Sequence, residues 1–286
     1  MEQSSVGSRR SGSGGTRQQT HEIVIDAPIE SVWKAITDAE ELTRWFVEEA
    51  SVTPGVGGAF VISWGGDEKG QSRIDEWEPN RKLRVTLMPF EMGAAKYDGT
   101  TPMVDEYTIE RRDGKTVLRL VSSGIPDTPE WDSFYNGTNT GWKSFLRAMR
   151  HYLEHHCGKL RATIKIVGKV DGSLEETWSR LTGPGGFGFE PVAGQPFSTR
   201  IGLGEPISGR VTHANPPGGL ELSISELDEA YLAHTMSRGG GGQYVYTVLS
   251  LYGKSPAQIE AIRSTWQTWL STVLGVHNAS AREEQV

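Results

Sequence analysis

The chain of 286 residues contains a single cysteine, Cys157. One thiol forms no internal disulfide and supports no Cys-rich zinc or iron–sulfur framework. No stretch approaches the roughly 18 apolar residues that a membrane-spanning helix needs. The first 19 residues are rich in Ser, Gly and Arg and have no apolar core of a secretory signal. A reducing, cytoplasmic location is therefore the expectation. Formal net charge is −7. An acidic chain is poorly suited to neutralising phosphates, so nucleic acid is not an expected partner. Catalytic signatures are scarce too. There is no G-x-S-x-G, H-E-x-x-H or Walker-type motif, which removes the common hydrolase, protease and NTPase patterns. The glycine-rich runs at 183–188 and 239–242 follow a helix and join two strands, so they read as turns and not as phosphate loops.

What is present is enough apolar residue, 36%, for packed cores, over a length that suits about two domains. An internal repeat supplies the division. Trp33 aligns with Trp178, Asp26 with Asp171 and Thr37 with Thr182. Further on, Phe60 aligns with Phe197, Arg73 with Arg210, Pro79 with Pro216, and Leu83, Val85 and Leu87 with Leu220, Leu222 and Ile224. Near the end, Trp142, Phe145 and Leu146 align with Trp266, Trp269 and Leu270. The separation shrinks along the chain, so the second copy is a shortened version of the first. The expected organisation is a flexible tail at 1–19, a first domain at 20–158, a second at 159–278 and a tail at 279–286. The three arginines of the leading tail are solvated or touch an acidic partner.

Each copy follows one plan. A short strand (21–26; 162–170) leads into a helix, with Pro28 in the first turn of one and Ser173 with Glu176 at capping-box spacing in the other. A second short helix is predicted at 42–46 in the first copy only. Strands follow, marked by the period-two alternation of Leu83, Val85 and Leu87 and of their partners. Arg112-Asp113-Gly114-Lys115 is a hairpin signal. Each copy closes on an amphipathic helix. Its stripe is Trp142, Phe145, Leu146, Met149 and Leu153 in one copy, and Ile259, Ile262, Trp266, Trp269, Leu270 and Val273 in the other. This order is an α+β arrangement, a curved antiparallel sheet wrapped around a long C-terminal helix.

Four stretches of the first copy are IVIDAPIESVWKAITDAEELTRWF (23–46), GGAFVISW (57–64), DEWEPNRKLRVT (75–86) and VLRLVSSGIPDTPEWDSFYNGTNTGWKSFLRAMRHYLE (117–154). In them the copy resembles the activator-of-heat-shock-chaperone-ATPase (Aha-type) branch of the START-like, birch-pollen-allergen-like superfamily, SRPBCC. The second copy resembles it weakly. It has at most Phe187 and Phe189 in place of Trp45 and Phe46, and it has no WDSFYNG loop. The resemblance implies two tandem helix-grip domains and a deep, largely apolar cavity in the first. It does not fix activity, since the superfamily holds lipid and hormone carriers, aromatase/cyclase enzymes and chaperone-associated domains. The eukaryotic activators carry a separate chaperone-binding domain with no counterpart here, so direct ATPase stimulation is not expected.

The residues expected to line a ligand cavity are Trp45, Phe46, Trp64, Trp77, Phe134, Tyr135, Trp142 and Phe145. Plain core packing is the competing account of each ring. Glu76 and Tyr107, with Glu106 and Arg119, either project into that cavity or sit on a solvent face, because a single bulge exchanges the faces. A carboxylate desolvated there would act as acid or base. His151, His155 and Cys157 have metal-compatible spacing but read as a solvated helix end, with no metal expected. The expected function is non-enzymatic binding of a small hydrophobic or aromatic ligand, without cofactor, in a stress-related or regulatory setting. Two alternatives stand beside it. One is a cyclase or isomerase using a buried carboxylate or tyrosine. The other is a co-chaperone-like module with a chaperone or regulator as partner.

Overall fold

The computed structural model describes residues 15–65, 69–201, 206–239 and 242–276. The chain divides into two compact units, one running to Gly158 and the other starting at Lys159. Of the tails expected at 1–19 and 279–286, residues 1–14 and all of the second lie outside the described residues.

The first unit runs β1 (Thr16–Ile25), α1 (Ile29–Thr37), α2 (Ala39–Trp45), β2 (Glu49–Val52), β3 (Ala59–Ser63), β4 (Gly70–Glu78) and β5 (Lys82–Leu87). A small hairpin of β6 (Phe90–Met92) and β7 (Ala95–Tyr97) follows, then β8 (Val104–Arg112), β9 (Lys115–Pro126) and the 24-residue helix α3 (Asp132–His155). Its main sheet is antiparallel, in the order β1-β9-β8-β5-β4-β3-β2. Along β1 burial alternates strictly, with Gln19, His21, Ile23 and Ile25 inside. Those inward rows continue across the sheet as Leu118, Leu120, Tyr107, Leu83 and Val85. Met149 and Leu153 of α3 belong to the same buried core.

Two boundaries differ from expectation. β1 begins at Thr16, not at residue 21, so Arg17 belongs to the fold and not to a tail. Its guanidinium donates to the Pro126 carbonyl at 2.8 Å and to Asp132 Oδ1 at 2.5 Å, and it lies 4.6 Å from the Tyr135 ring. The inward positions of this half-strand are polar, so no apolar alternation reports it. Likewise α3 begins at Asp132, well before its apolar stripe opens at Trp142, so most of the segment read as a WDSFYNG loop is helical. The stretch NGTNTG (136–141) has weak helix propensity. It is held by contacts instead: Gln19 Nε2 donates to the Tyr135 carbonyl at 2.7 Å and to Thr138 Oγ1 at 3.0 Å.

The second unit runs β10 (Arg161–Val170), α4 (Leu174–Thr182), β11 (Pro196–Arg200), β12 (Pro206–Asn215), β13 (Gly219–Ile224), β14 (Ala230–Gly239), β15 (Gly242–Tyr252) and α5 (Pro256–Leu274). Its sheet order, β10-β15-β14-β13-β12-β11, repeats the first sheet without a β2 partner. The match extends to a defect. β4 bulges between Ile74 and Glu76, and β12 bulges between Val211 and His213, the aligned positions. The expected capping box of Ser173 with Glu176 forms, and Ser255 with Gln258 makes a second at the start of α5. The chain is therefore α+β, with two tandem helix-grip units.

One glycine is required by geometry. At Gly124 of β9, φ is +82° and a Cβ would lie 2.0 Å from the Pro102 carbonyl oxygen. Only glycine permits this close approach.

Candidate functional site

The end of α2, the end of β3 and the middle of α3 bring their aromatic rings together above β8. Phe46 is the hub. It stacks on Trp45 at 4.9 Å and meets Trp64, Trp142 and Phe145 at 5.3, 5.4 and 4.9 Å. Trp142 reaches Tyr107 at 6.1 Å. Trp45 is a packing residue, buried, with its indole N–H on the Ala35 carbonyl. Trp142 and Phe145 are only half-buried and Trp64 is 39% exposed. Toward the far end of the same face Ile25 and Leu118 have no exposed surface. Accessible apolar surface on this face is thus found at the aromatic end.

Not every expected ring belongs here. Phe134 lies in a separate cluster under the β6–β7 hairpin, 5.5 Å from Phe90 and 5.2 Å from Trp131. Tyr135 points to Arg17, not into the concave face. Trp77 pairs with Trp33 of α1 at 5.2 Å. The Asn-Gly-rich start of α3, being helical, swings residues 134 and 135 away from residues 142 and 145.

Glu76 is also displaced. The bulge at residue 75 puts Trp77 on the inner face and Glu76 on the outer one. There Lys82 Nζ bridges Glu76 at 2.8 Å and Glu106 at 3.1 Å, with Arg84 adjoining both. This is a surface ion-pair lattice, with no part in a cavity. Arg119 is exposed beside Glu22.

The inward carboxyl is Asp105, which stands in the row Gln19, Ser122, Asp105, Val85 across four strands. Ser122 Oγ donates to Asp105 Oδ1 at 2.5 Å. Asp105 is enclosed enough that burial pushes its carboxyl up to about 6, against the opposing effect of the Ser122 bond. Yet it retains accessible surface. Burial, with a smaller effect of the Asp105 charge, pushes the Tyr107 hydroxyl well above its usual range. Gln19 Oε1 and His21 Nε2 are buried and meet no protein partner. Burial, with the nearby Lys143 charge second, lowers His21 to about 4, so the ring is neutral at pH 7. A mostly apolar recess with a few convergent polar groups is the form of a small-molecule site.

A family model described as "Activator of Hsp90 ATPase homolog 1-like protein" matches residues 26–154. Over this segment the chain is similar to that family. The chain is similar to the Aha1 dimer of Colwellia psychrerythraea: 20% identity, 48% of this chain and 96% of that one, TM-score 0.41. It is similar over both units to DynU16, a protein in the dynemicin biosynthetic locus: 17% identity, 90% and 96% covered, TM-score 0.42. A third is the di-domain ARO/CYC BexL from the BE-7585A biosynthetic pathway: 15% identity, 91% and 96% covered, TM-score 0.42. Among curated proteins none matches.

Sequence reasoning missed Asp105, Ser122, Gln19 and His21 of the first unit. A signal existed for the first: Asp105 shares the parity of Tyr107 and Ile109, the apolar face of its strand, so it is an acid where a core residue is due. The helix end was misjudged in part. His151 and His156 are buried, and His151 lies 4.6 Å from the exposed His155 ring. Among the described residues no cluster of His, Cys, Asp or Glu has metal-holding geometry.

In the second unit the aligned helix rings are enclosed. Trp266 and Trp269 are buried, Phe187 meets Trp269 at 5.2 Å, and Phe189 stacks on Phe197 at 4.8 Å. Its interior polar residue is His234, whose Nδ1 is 2.7 Å from Thr247 Oγ1 and which burial lowers to about 3.

Proposed function

We propose that the first unit binds a small hydrophobic or aromatic ligand on its concave face and releases it chemically unchanged. One contrast carries this reading. Trp142 and Phe145 keep accessible surface, whereas their copies Trp266 and Trp269 are sealed in a core. Rings kept partly wet at the aromatic end of a recess give up water when a planar ligand covers them, which is a favourable exchange of apolar surface. Any stress-related or regulatory role follows from occupancy of this recess.

Native mass spectrometry of the full chain purified from its own host tests the reading. The expected result is a discrete adduct lost on denaturation. A bare polypeptide mass, together with no uptake of added 2-naphthol, contradicts it.

Asp105 favours a second reading, acid–base chemistry of the cyclase or isomerase kind. A carboxyl near 6 is matched to proton transfer close to neutral pH. The two readings separate on Asp105→Asn: under catalysis the variant binds without converting its ligand, and under simple carriage no conversion exists to lose.

A further inference from the structure

The walls of the recess are aromatic, but its floor is not. Three polar side chains stand in one cross-strand row, on β1, β9 and β8. They are not equivalent to one another. Ser122 spends its hydroxyl proton on Asp105 Oδ1, and Gln19 spends its amide protons on α3. After these bonds are made, what the row presents is acceptors: the second carboxyl oxygen of Asp105 and, deeper, Gln19 Oε1, which is buried without a partner. A buried acceptor left unpaired is costly, because it has given up water without gaining a partner. An occupant that brings a donor to this row therefore has an advantage over a purely apolar one. The neighbouring row carries Tyr107, whose ring meets Trp142, and His21, whose Nε2 is unpartnered.

We propose that this row is a hydrogen-bond anchor, so that the ligand of the first unit is an aromatic carrying a hydroxyl or amine donor, received by Asp105. The inference rests on the ligand-binding reading and narrows it from apolar molecules in general to donor-bearing aromatics. The ring system lies against Phe46, Trp142 and Phe145 while its donor points to the sheet.

The test compares two probes of similar size, 2-naphthol and 2-methoxynaphthalene, which differ in possessing the donor. Binding of each to the full chain is measured by titration calorimetry, in the wild type and in Asp105→Leu and Asp105→Asn. A hydrogen bond to a charged group is worth about 1.5–3 kcal/mol. The expected preference of the wild type for 2-naphthol is therefore about tenfold or more. Asp105→Leu should abolish that preference, and Asp105→Asn, which keeps an acceptor oxygen, should retain part of it. Equal binding of both probes to the wild type overturns the anchor while leaving the aromatic site standing. This arm needs no variant to fold. Binding of neither probe overturns both the anchor and the site. A preference that survives Asp105→Leu overturns the assignment to Asp105.

Discussion

Asp105 and His21 pull the acid stability of the first unit in opposite directions. The Asp105 carboxyl titrates near 6 in the fold against 3.8 when free. Its contribution is therefore fully present below pH 4 and is lost as pH rises through 6. His21 titrates near 4 against 6.5. Its contribution is present above 6.5 and is lost as pH falls toward 4. The two offset each other over one pH window, so the wild type alone is uninformative and a variant is needed. Asp105→Asn should gain stability relative to the wild type as pH rises from 4 to 7, by on the order of 1–3 kcal/mol. Urea unfolding at the two ends of that range measures it, and a difference that does not change with pH would contradict the burial of this carboxyl. At this scale the sequence was only partly readable. The aromatic rings of residues 46, 142 and 145 were identifiable because large apolar side chains on a helix stripe face a core. The polar floor was not, because facing depends on parity, and the bulge at residue 75 resets parity without leaving a mark in the composition. That is why the sequence leaves Glu76 open between the two faces and does not single out Asp105.

Among the elements, the helix starts carry the clearest local physics. α4 and α5 both open on capping boxes in which the serine hydroxyl accepts a backbone N–H and the residue three positions on returns the bond. Truncating such a cap costs about 1 kcal/mol. Ser173→Ala and Ser255→Ala should each lower the stability of the second unit by about that amount, read as a shift in its unfolding midpoint; a shift of zero for both would mean that packing alone sets these helix ends. The caps and strand alternations were legible because each is a short-range pattern. β1 and α3 were cut short because their extra residues are polar or poor in helix propensity. Arg17 and Gln19 secure those segments through partners more than 100 residues away, as in the Arg17 bonds to Pro126 and Gln19 to Tyr135. Non-local bonds of this kind leave no trace in a local window.

For the whole molecule, duplication followed by divergence explains both the likeness and the difference of the units. The aligned residues Leu83 and Leu220, and Val85 and Leu222, occupy the same inward sheet positions, and even the bulge recurs. What changed is the aromatic end. The first unit has α2, β2 and the β6–β7 hairpin, and its helix rings stay partly exposed; the second has no counterpart of them among the described residues, and its Phe187 covers Trp269. The repeat was visible in the sequence, but the filling of the second core depends on side-chain packing, which alignment does not report. On the proposed reading, the first unit takes a ligand and the second, with its rings buried, does not. Methyl NMR of the full chain titrated with 2-naphthol tests this most directly. Saturable shifts at Leu120 and Val85, with Leu222 and Leu249 unmoved, are the predicted result. No shifts at all, or shifts confined to Leu222 and Leu249, would contradict it.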